Sequence, residues 1–524
     1  MNFPHAAKTA AIVGAMVALS AAVAGVIAYA ERRTAELRAR DSIVRLLSHK
    51  FRSDVELEDF HVRVFPRMGV SGSGLSLDYW ATPGAPPLIR IEKFSFELGF
   101  LGIFRAPHHI ERMHFERMVV SIPPRQQRKS FADRVTPDIA EVTVGEIECD
   151  NAELRMLSAA PNKQPLEWEI HNLVLRDVGG NQPFSFHGAL TNAKPRGEIA
   201  TSGRFGPWNG DDPGATSLSG DYEFRGADLG EFPGIAGILS SAGHYAGEVD
   251  RLEVEGETDT PNFSLDNVGK PVPLSTKYSA TVDGTNGDTE LHPVEAALGQ
   301  STIVAAGSVL AIPAEKGHQI TLDITTPKAR IEDILRLAIA SERPFLSGAV
   351  DIKAKLSLPP GSKKVIDRMT LDGSFAVANG RWSSPEMREK LEDFSRHAEG
   401  KPQDQESGSA LTDLQGRFVL RNSVVTFSKL TFSVPGADVE LAGTYGIRSQ
   451  TIDMQGHLKM QAKLSQTVTG PKSFFLKAID PLFSKNGAGT ELPISITGTK
   501  EHPVFAVEVL HKKFEKQMGK PGMR

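Results

Sequence analysis

The densest cluster of side chains able to do chemistry is His108, His109, Glu111 and His114. Imidazole and carboxylate groups this close could hold a divalent cation, but such a site closes with ligands from a second element. No second cluster with matching spacing follows, and after Pro107 the four residues read as a surface turn between strands. Asp351, Asp372 and Asp453 occupy polar positions of alternating stretches, where a solvated carboxylate is the default and no pair separates into an acid and a base. Cys149 is the single cysteine. It supplies neither a disulfide framework nor a cysteine zinc site, and its thiol reads as structural. Gly-x-Ser-x-Gly elbows, Walker loops, His-Glu-x-x-His helices and Gly-x-Gly-x-x-Gly turns in a βαβ context are all missing. The expectation is a protein that is no enzyme and uses no metal or cofactor.

The elements that would carry any site are β-strands. The chain has 524 residues, 40% hydrophobic and 7% aromatic, with 48 Gly and 33 Pro to punctuate short elements. Its net charge of -5, with both signs scattered, leaves no basic stripe for a nucleic-acid backbone. From Val55 onward the dominant period is two. Ile452, Met454, Gly456, Leu458, Met460, Ala462 and Leu464 alternate with polar residues, as do Val350, Ile352, Ala354, Leu356 and Leu358. Phe60, Val62 and Val64, and then Phe94, Phe96 and Leu98, repeat the pattern. One-sided strands of this kind predict an antiparallel sheet with a single buried face.

Turn chemistry marks hairpins at Asp283-Gly284, Asn286-Gly287-Asp288, Asp372-Gly373, Asn379-Gly380 and Pro435-Gly436. An apolar-x-Gly strand ending recurs at Gly256, Gly373, Gly443 and Gly498. It is either a diffuse internal repeat or the ordinary marking of hairpins by glycine. Two helices are legible. One runs from Arg330 to Glu342, and one opens at Ser384-Pro385, carries Met387, Leu391, Phe394 and Ala398 on one face, and stops at Gly400. Residues 401–409 form a polar linker.

Thr9 to Ala30 is an uninterrupted apolar stretch, long enough to cross a bilayer as a helix. A membrane anchor is the first reading; the competing one is a cleaved signal peptide, since Ala28-Tyr29-Ala30 has the small-x-small form of a cleavage site. Flanking charge places Arg32, Arg33, Arg38, Arg40 and Lys50 after the span, which argues for a cytoplasmic body, but the rule weakens for long following domains. Phe474, Phe475, Leu476, Ile479, Leu482 and Phe483 form a second apolar stretch. It reads as a cap over a core, or as an exposed tip that touches a membrane or partner.

Two regions together resemble the AsmA-like family of inner-membrane-anchored envelope proteins. Between Leu346 and Val509 the resemblance rests on FLSGAVDIKAKLSL, on MTLDGSFAVANGRWSSPEMREKLEDFSRHAEG, on LTDLQGRFVLRNSVVTFSKLTFSVPGADVELAGTY, and on the closing LPISITGTKEHPVFAVEV. Near the start, VELEDFHVRVFPRMGVSGSGLSL, IRIEKFSFELGFLGIF and IERMHFERMVVSIPP are similar to the family's opening module. The resemblance implies a mainly β protein: an amino-terminal transmembrane helix, then an elongated antiparallel sheet curled into a groove with an apolar interior, and a few short helices. It divides the chain into a cytoplasmic start (1–8), a span (9–30), an opening module (31–125), a central groove (126–345), a closing module (346–510) and a basic tail (511–524). It also places the body in the periplasm and links it to phospholipid movement or to outer-membrane assembly with an envelope protein partner.

A conduit for acyl chains needs only a continuous apolar floor, for which the candidates are Val350, Ile352, Leu356, Leu458, Met460, Ala462 and Leu464. Shielding about 16 methylenes at ~0.8 kcal/mol each holds a chain by on the order of 10 kcal/mol without specific contacts. The alternative function is a non-transporting scaffold for outer-membrane protein assembly, which would bind precursors at strand edges.

Overall fold

The computed structural model describes residues 32–51, 54–63, 68–78, 86–99, 108–122, 142–157, 165–179, 181–209, 212–265, 270–312, 317–338, 344, 346–383, 389, 392, 395–400, 412–463, 466, 489–499, 502–509 and 512–517. They form a mainly β structure, one large mixed sheet of 26 strands that does not close, with few short helices. The expected span at 9–30 and the apolar stretch from Phe474 to Phe483 lie outside these residues. Among the described residues no helix is long and apolar enough to cross a membrane. The chain divides into two compact units, residues 1–231 with 238–258 and 279–289, and residues 232–237 with 259–278 and 290–524.

The first unit opens with helix α1 (Arg32–Phe51), a run free of Gly and Pro. Its residues Ile43 and Leu47, one turn apart, are buried against the sheet. Arg40 Nε donates to the Leu57 carbonyl at 2.6 Å, and the Val62 N–H donates to Glu36 at 3.4 Å. The strands are β1 (Val55–Glu56), β2 (Asp59–Arg63), β3 (Met68–Leu77), β4 (Ile89–Leu98), β5 (His108–Ile122), β6 (Val142–Met156), β7 (Leu166–Gly179), β8 (Phe184–Ala193), β9 (Arg196–Phe205) and β10 (Ser217–Asp228). After β11 (Ile235–Ala236), β12 (Ile238–Glu248) pairs with β10.

Pairing along β3–β4–β5 and β6–β7–β8–β9–β10–β12 is antiparallel throughout, but β5 and β6 are parallel, with Ile110 opposite Val144 and Phe115 opposite Cys149. The expected all-antiparallel sheet is therefore mixed. A parallel pair cannot be joined by a hairpin, and residues 123–141 supply the long connection it needs. The outer face of these strands carries cross-strand ion pairs, among them Lys93–Glu116 at 3.1 Å, Arg112–Glu146 at 2.9 Å and Arg117–Glu92.

β13 (Arg251–Leu265), β14 (Val272–Val282) and β15 (Thr289–Leu298) follow. In the second unit the order continues through β16 (Ser301–Ala311), β17 (His318–Arg330), helix α2 (Ile331–Ala338), β18 (Leu346–Leu358), a turn of helix α3 (Val365–Arg368), β19 (Thr370–Trp382), β20 (Thr412–Arg421), β21 (Val424–Val434), β22 (Ala437–Gly446), β23 (Thr451–Met460), β24 (Thr490–Thr499), β25 (Pro503–Val509) and β26 (Lys512–Gln517). From β16 to β26 each strand pairs antiparallel with the next, as a one-faced pattern requires.

Helix α2 is fastened at its start. Asp333 is buried and accepts from the Gln300 N–H at 2.9 Å and from Ser301 Oγ at 2.8 Å, while Glu332 accepts from the Gly348 N–H at 3.1 Å. Burial pushes the Glu332 carboxyl up, but hydrogen bonds from the backbone and Arg330 outweigh it and hold the group below the usual carboxylate value.

Several turn expectations change. Asp283 to Asp288 is a turn, closed by the Asp283 N–H donating to the Asp288 carbonyl at 2.8 Å, and Gly436 turns the chain between β21 and β22 with φ +83°. Asp372-Gly373 and Asn379-Gly380 instead lie inside β19. There Asn379 takes a φ of 53° where the β18–β19 register slips, so it makes a bulge and not a hairpin. Gly256 and Gly443 are likewise strand-interior residues.

Candidate functional site

The apolar face is covered unequally. Against α1 the face is a filled core: Ile91, Phe96, Met113 and Phe115 are at most 2% exposed. Further along the first unit the strands β9, β10 and β12 still alternate, but their inward residues are only half-buried in mid-strand. Full burial returns at the strand ends, where Phe205, Leu218, Val249 and Leu252 cluster. Charged residues of these strands, such as Glu198, Arg204, Asp221 and Glu223, are exposed on the opposite face. The result is an uncharged, mainly apolar strip across β8, β9, β10 and β12 on which, among the described residues, no layer of the kind α1 provides is packed.

Register explains how this strip is paved. Phe186 faces Gly203, Gly220 faces Tyr245, and Tyr222 faces Gly243. In each case the ring lies over the glycine: a Cβ on Gly203 would meet Phe186 Cζ at 2.9 Å, one on Gly220 would meet the Tyr245 hydroxyl at 2.7 Å, and one on Gly243 would meet Tyr222 Cε1 at 3.0 Å. Tyr222 and Tyr245 sit side by side, centroids 6.5 Å apart and planes 28° apart.

Their hydroxyls are tied down. Thr201 Oγ1 donates to the Asp221 carbonyl at 2.8 Å, so its single proton is used and the Tyr245 hydroxyl donates to it, also at 2.8 Å. Ser241 Oγ donates to the Glu257 carbonyl at 3.1 Å and accepts from Tyr222 at 3.1 Å. Burial pushes both phenols up, keeping them neutral donors.

In the second unit apolar residues also run in rows across many strands. One row is Ile352, Phe375, Gly416, Leu430, Leu441, Gly456 and Ile494, each opposite the next. Phe375 covers Gly416, whose Cβ would lie 2.9 Å from its ring. Of the residues expected to floor a groove, Val350, Leu458 and Met460 join one buried cluster with Ile331 of α2 and with Ala398, while Ile352 packs against that cluster half-buried. Leu356 is half-buried near the other strand end.

β23 stops at Met460 because the backbone turns away: the Gln461 N–H donates to the Gly436 carbonyl and the Ala462 N–H to the Ala398 carbonyl, both at 2.9 Å. Ala462 is thus buried beyond the strand and not on its face, and Leu464 lies outside the described residues. On β17 of this unit Ile320, Leu322 and Ile324 are half-buried, and Thr321, Asp323 and Thr325 are exposed.

The polar candidates stay apart. His108 to His114 is not a turn but the start of β5. His109 faces Thr143 at 3.0 Å and His114 faces Asp150 at 3.0 Å, whose carboxyl is held below its ordinary value by that hydrogen bond and by Asn172. Among the described residues no three His, Cys, Asp or Glu side chains converge as metal ligands. Asp351, Asp372 and Asp453 are exposed on the polar face. Cys149 is buried, and loss of hydration pushes its thiol up to about 12.

The tyrosine platform escaped the sequence reading. Its signal is present as Gly-x-Tyr in two successive strands, Gly220-Asp221-Tyr222 and Gly243-His244-Tyr245, which antiparallel pairing makes reciprocal. Comparison with known protein families, with characterised proteins and with solved structures yields no match.

Proposed function

We infer that this chain is an AsmA-like envelope protein, anchored in the inner membrane through residues 9–30 with its body in the periplasm. It binds phospholipid acyl chains along the apolar sheet face and moves them in support of outer-membrane lipid homeostasis, without catalysis. The observation that carries this reading is the half-burial of mid-strand apolar residues on a sheet face, uncharged on β8, β9, β10 and β12 of the first unit and found separately in the second unit at Ile320, Leu322 and Ile324 of β17. A sheet face of this kind loses free energy in water and gains it against an alkyl chain.

Mid-strand glycines support the curvature that a groove needs. A Cβ on Gly307 would stand 2.0 Å from the Thr321 carbonyl oxygen and one on Gly203 would stand 2.0 Å from that of Ser219, so neither position has room for a side chain, as at a glycine kink. Lipid headgroups remain in water at the margin, since the strip in β8–β12 offers them no counter-charge.

The test is the lipid content of the full-length chain purified in mild detergent, read by native mass spectrometry. Bound phospholipid is expected. A lipid-free chain whose edge strand β26 crosslinks to outer-membrane proteins would replace this reading with the scaffold.

A further inference from the structure

On the polar face of the second unit one row of side chains is cationic without compensation. It lies one residue along from the apolar row of Ile352, Phe375, Gly416 and Leu430, and therefore on the other side of the sheet. In it Lys353 is opposite Ser374, Ser374 opposite Arg417, and Arg417 opposite Lys429. A bulge makes the last pairing. Phe427 faces Phe418 and Lys429 faces Arg417, so Ser428 is an extra residue in β21. Without it, the alternation that turns Val425 and Phe427 inward would turn Lys429 inward too. The bulge thus sets two cations directly opposite each other, an arrangement that destabilises a strand pair.

Little offsets this. Lys353, Arg417 and the hydroxyl of half-buried Ser374 have no ion-pair or hydrogen-bond partner among the described residues. Lys429 meets only Glu440, at 3.8 Å and with both side chains more than half exposed. Lys355, two residues beyond Lys353 on the same face, is by contrast paired with Asp323 at 3.3 Å. Beside the row, two residues along from Lys429, the buried Thr431 Oγ1 also lacks a partner.

We propose that this row binds a phosphomonoester. Arg417 and Lys429 stand one strand apart, ~4.8 Å, so their heads meet on a single tetrahedral anion. Ser374, on the other side of Arg417, offers a hydroxyl donor, and the flexible stem of Lys353 brings a third cation across it. A carboxylate has one charge and two oxygens and leaves such a row under-neutralised. A phosphomonoester brings about two charges and three acceptor oxygens, two of which match the planar fork of Arg417. The site is on the opposite side of the sheet from the apolar face and stands whether or not that face carries lipid.

The test is isothermal titration calorimetry of full-length protein in detergent with inorganic phosphate at pH 8 and low salt. Saturable binding is expected in wild type. Arg417→Gln and Lys429→Gln should each weaken it by about tenfold or more, the loss of one charge-assisted hydrogen bond, while Lys355→Gln binds as wild type does. Phosphatidic acid in nanodiscs that displaces the bound phosphate names a lipid headgroup as the occupant, and failure to displace it names a soluble ester; both uphold the site. Wild type that takes up no phosphate, or equal losses in all three variants, overturns the proposal.

Discussion

Leu322→Asp separates a ligand-bearing face from an ordinary core. Leu322 lies between Gly307 of β16 and Leu356 of β18, half-buried, so its side chain contributes about 1 kcal/mol of burial, roughly half of what full burial gives. An aspartate there still reaches water, and the fold should survive with a slightly lowered melting temperature. A bound acyl chain crossing the strip would meet a charge. Strands are spaced by ~4.8 Å, about four methylenes of chain, and at ~0.8 kcal/mol each their lost shielding comes to about 3 kcal/mol. Lipid affinity should therefore fall by about two orders of magnitude. The assay is equilibrium binding of a phosphatidylglycerol bearing one pyrene-labelled chain to full-length protein, with Thr321→Asp on the exposed face as the control. Folded Leu322→Asp protein that binds as wild type does would refute the reasoning, as would equal losses in both variants.

Three further outcomes follow from the geometry. The Glu332 carboxyl is held below its ordinary value, so its contribution to stability is present above the unfolded carboxylate value near 4.3 and is lost as pH falls through the folded value. Urea titrations from pH 7 to pH 3 should show a shallower acid loss in Glu332→Gln than in wild type. Cys149, buried and with its thiol raised to about 12, should resist iodoacetamide at pH 8 until the chain is unfolded, as read by mass. Gly456→Val would drive a Cβ to within 1.9 Å of the Glu440 carbonyl oxygen, and calorimetry should record a loss of about 3 kcal/mol or more, where an outer-face change such as Gln455→Val costs little.

Strand texture was legible because burial follows a period of two. Phe94, Phe96 and Leu98 are buried as their alternation implies, and Val350 and Leu458 share one cluster. Degree of cover was not legible, because alternation reports which face is apolar and not what lies over it. Leu458 and Leu322 belong to equally good patterns, yet one packs in the cluster that includes Ile331 and Ala398 while the other is half-buried. Glycine misled for a related reason. Gly373 follows an aspartate as a turn glycine would, but in β19 it faces Ala354, whose Cβ would be 2.7 Å from its own. The parallel β5–β6 pair depends on a long connection whose route no local pattern encodes.

The central claim is that the half-buried face, and not the sheet as such, carries lipid. Placing a photo-crosslinking amino acid in turn at residues 320 to 325 of β17 in cells, and reading attached phospholipid by mass spectrometry, tests it most directly. Adducts are expected with a period of two, at Ile320, Leu322 and Ile324 and none at Thr321, Asp323 and Thr325. Adducts that are absent from all six positions, or equal at all six, would contradict it.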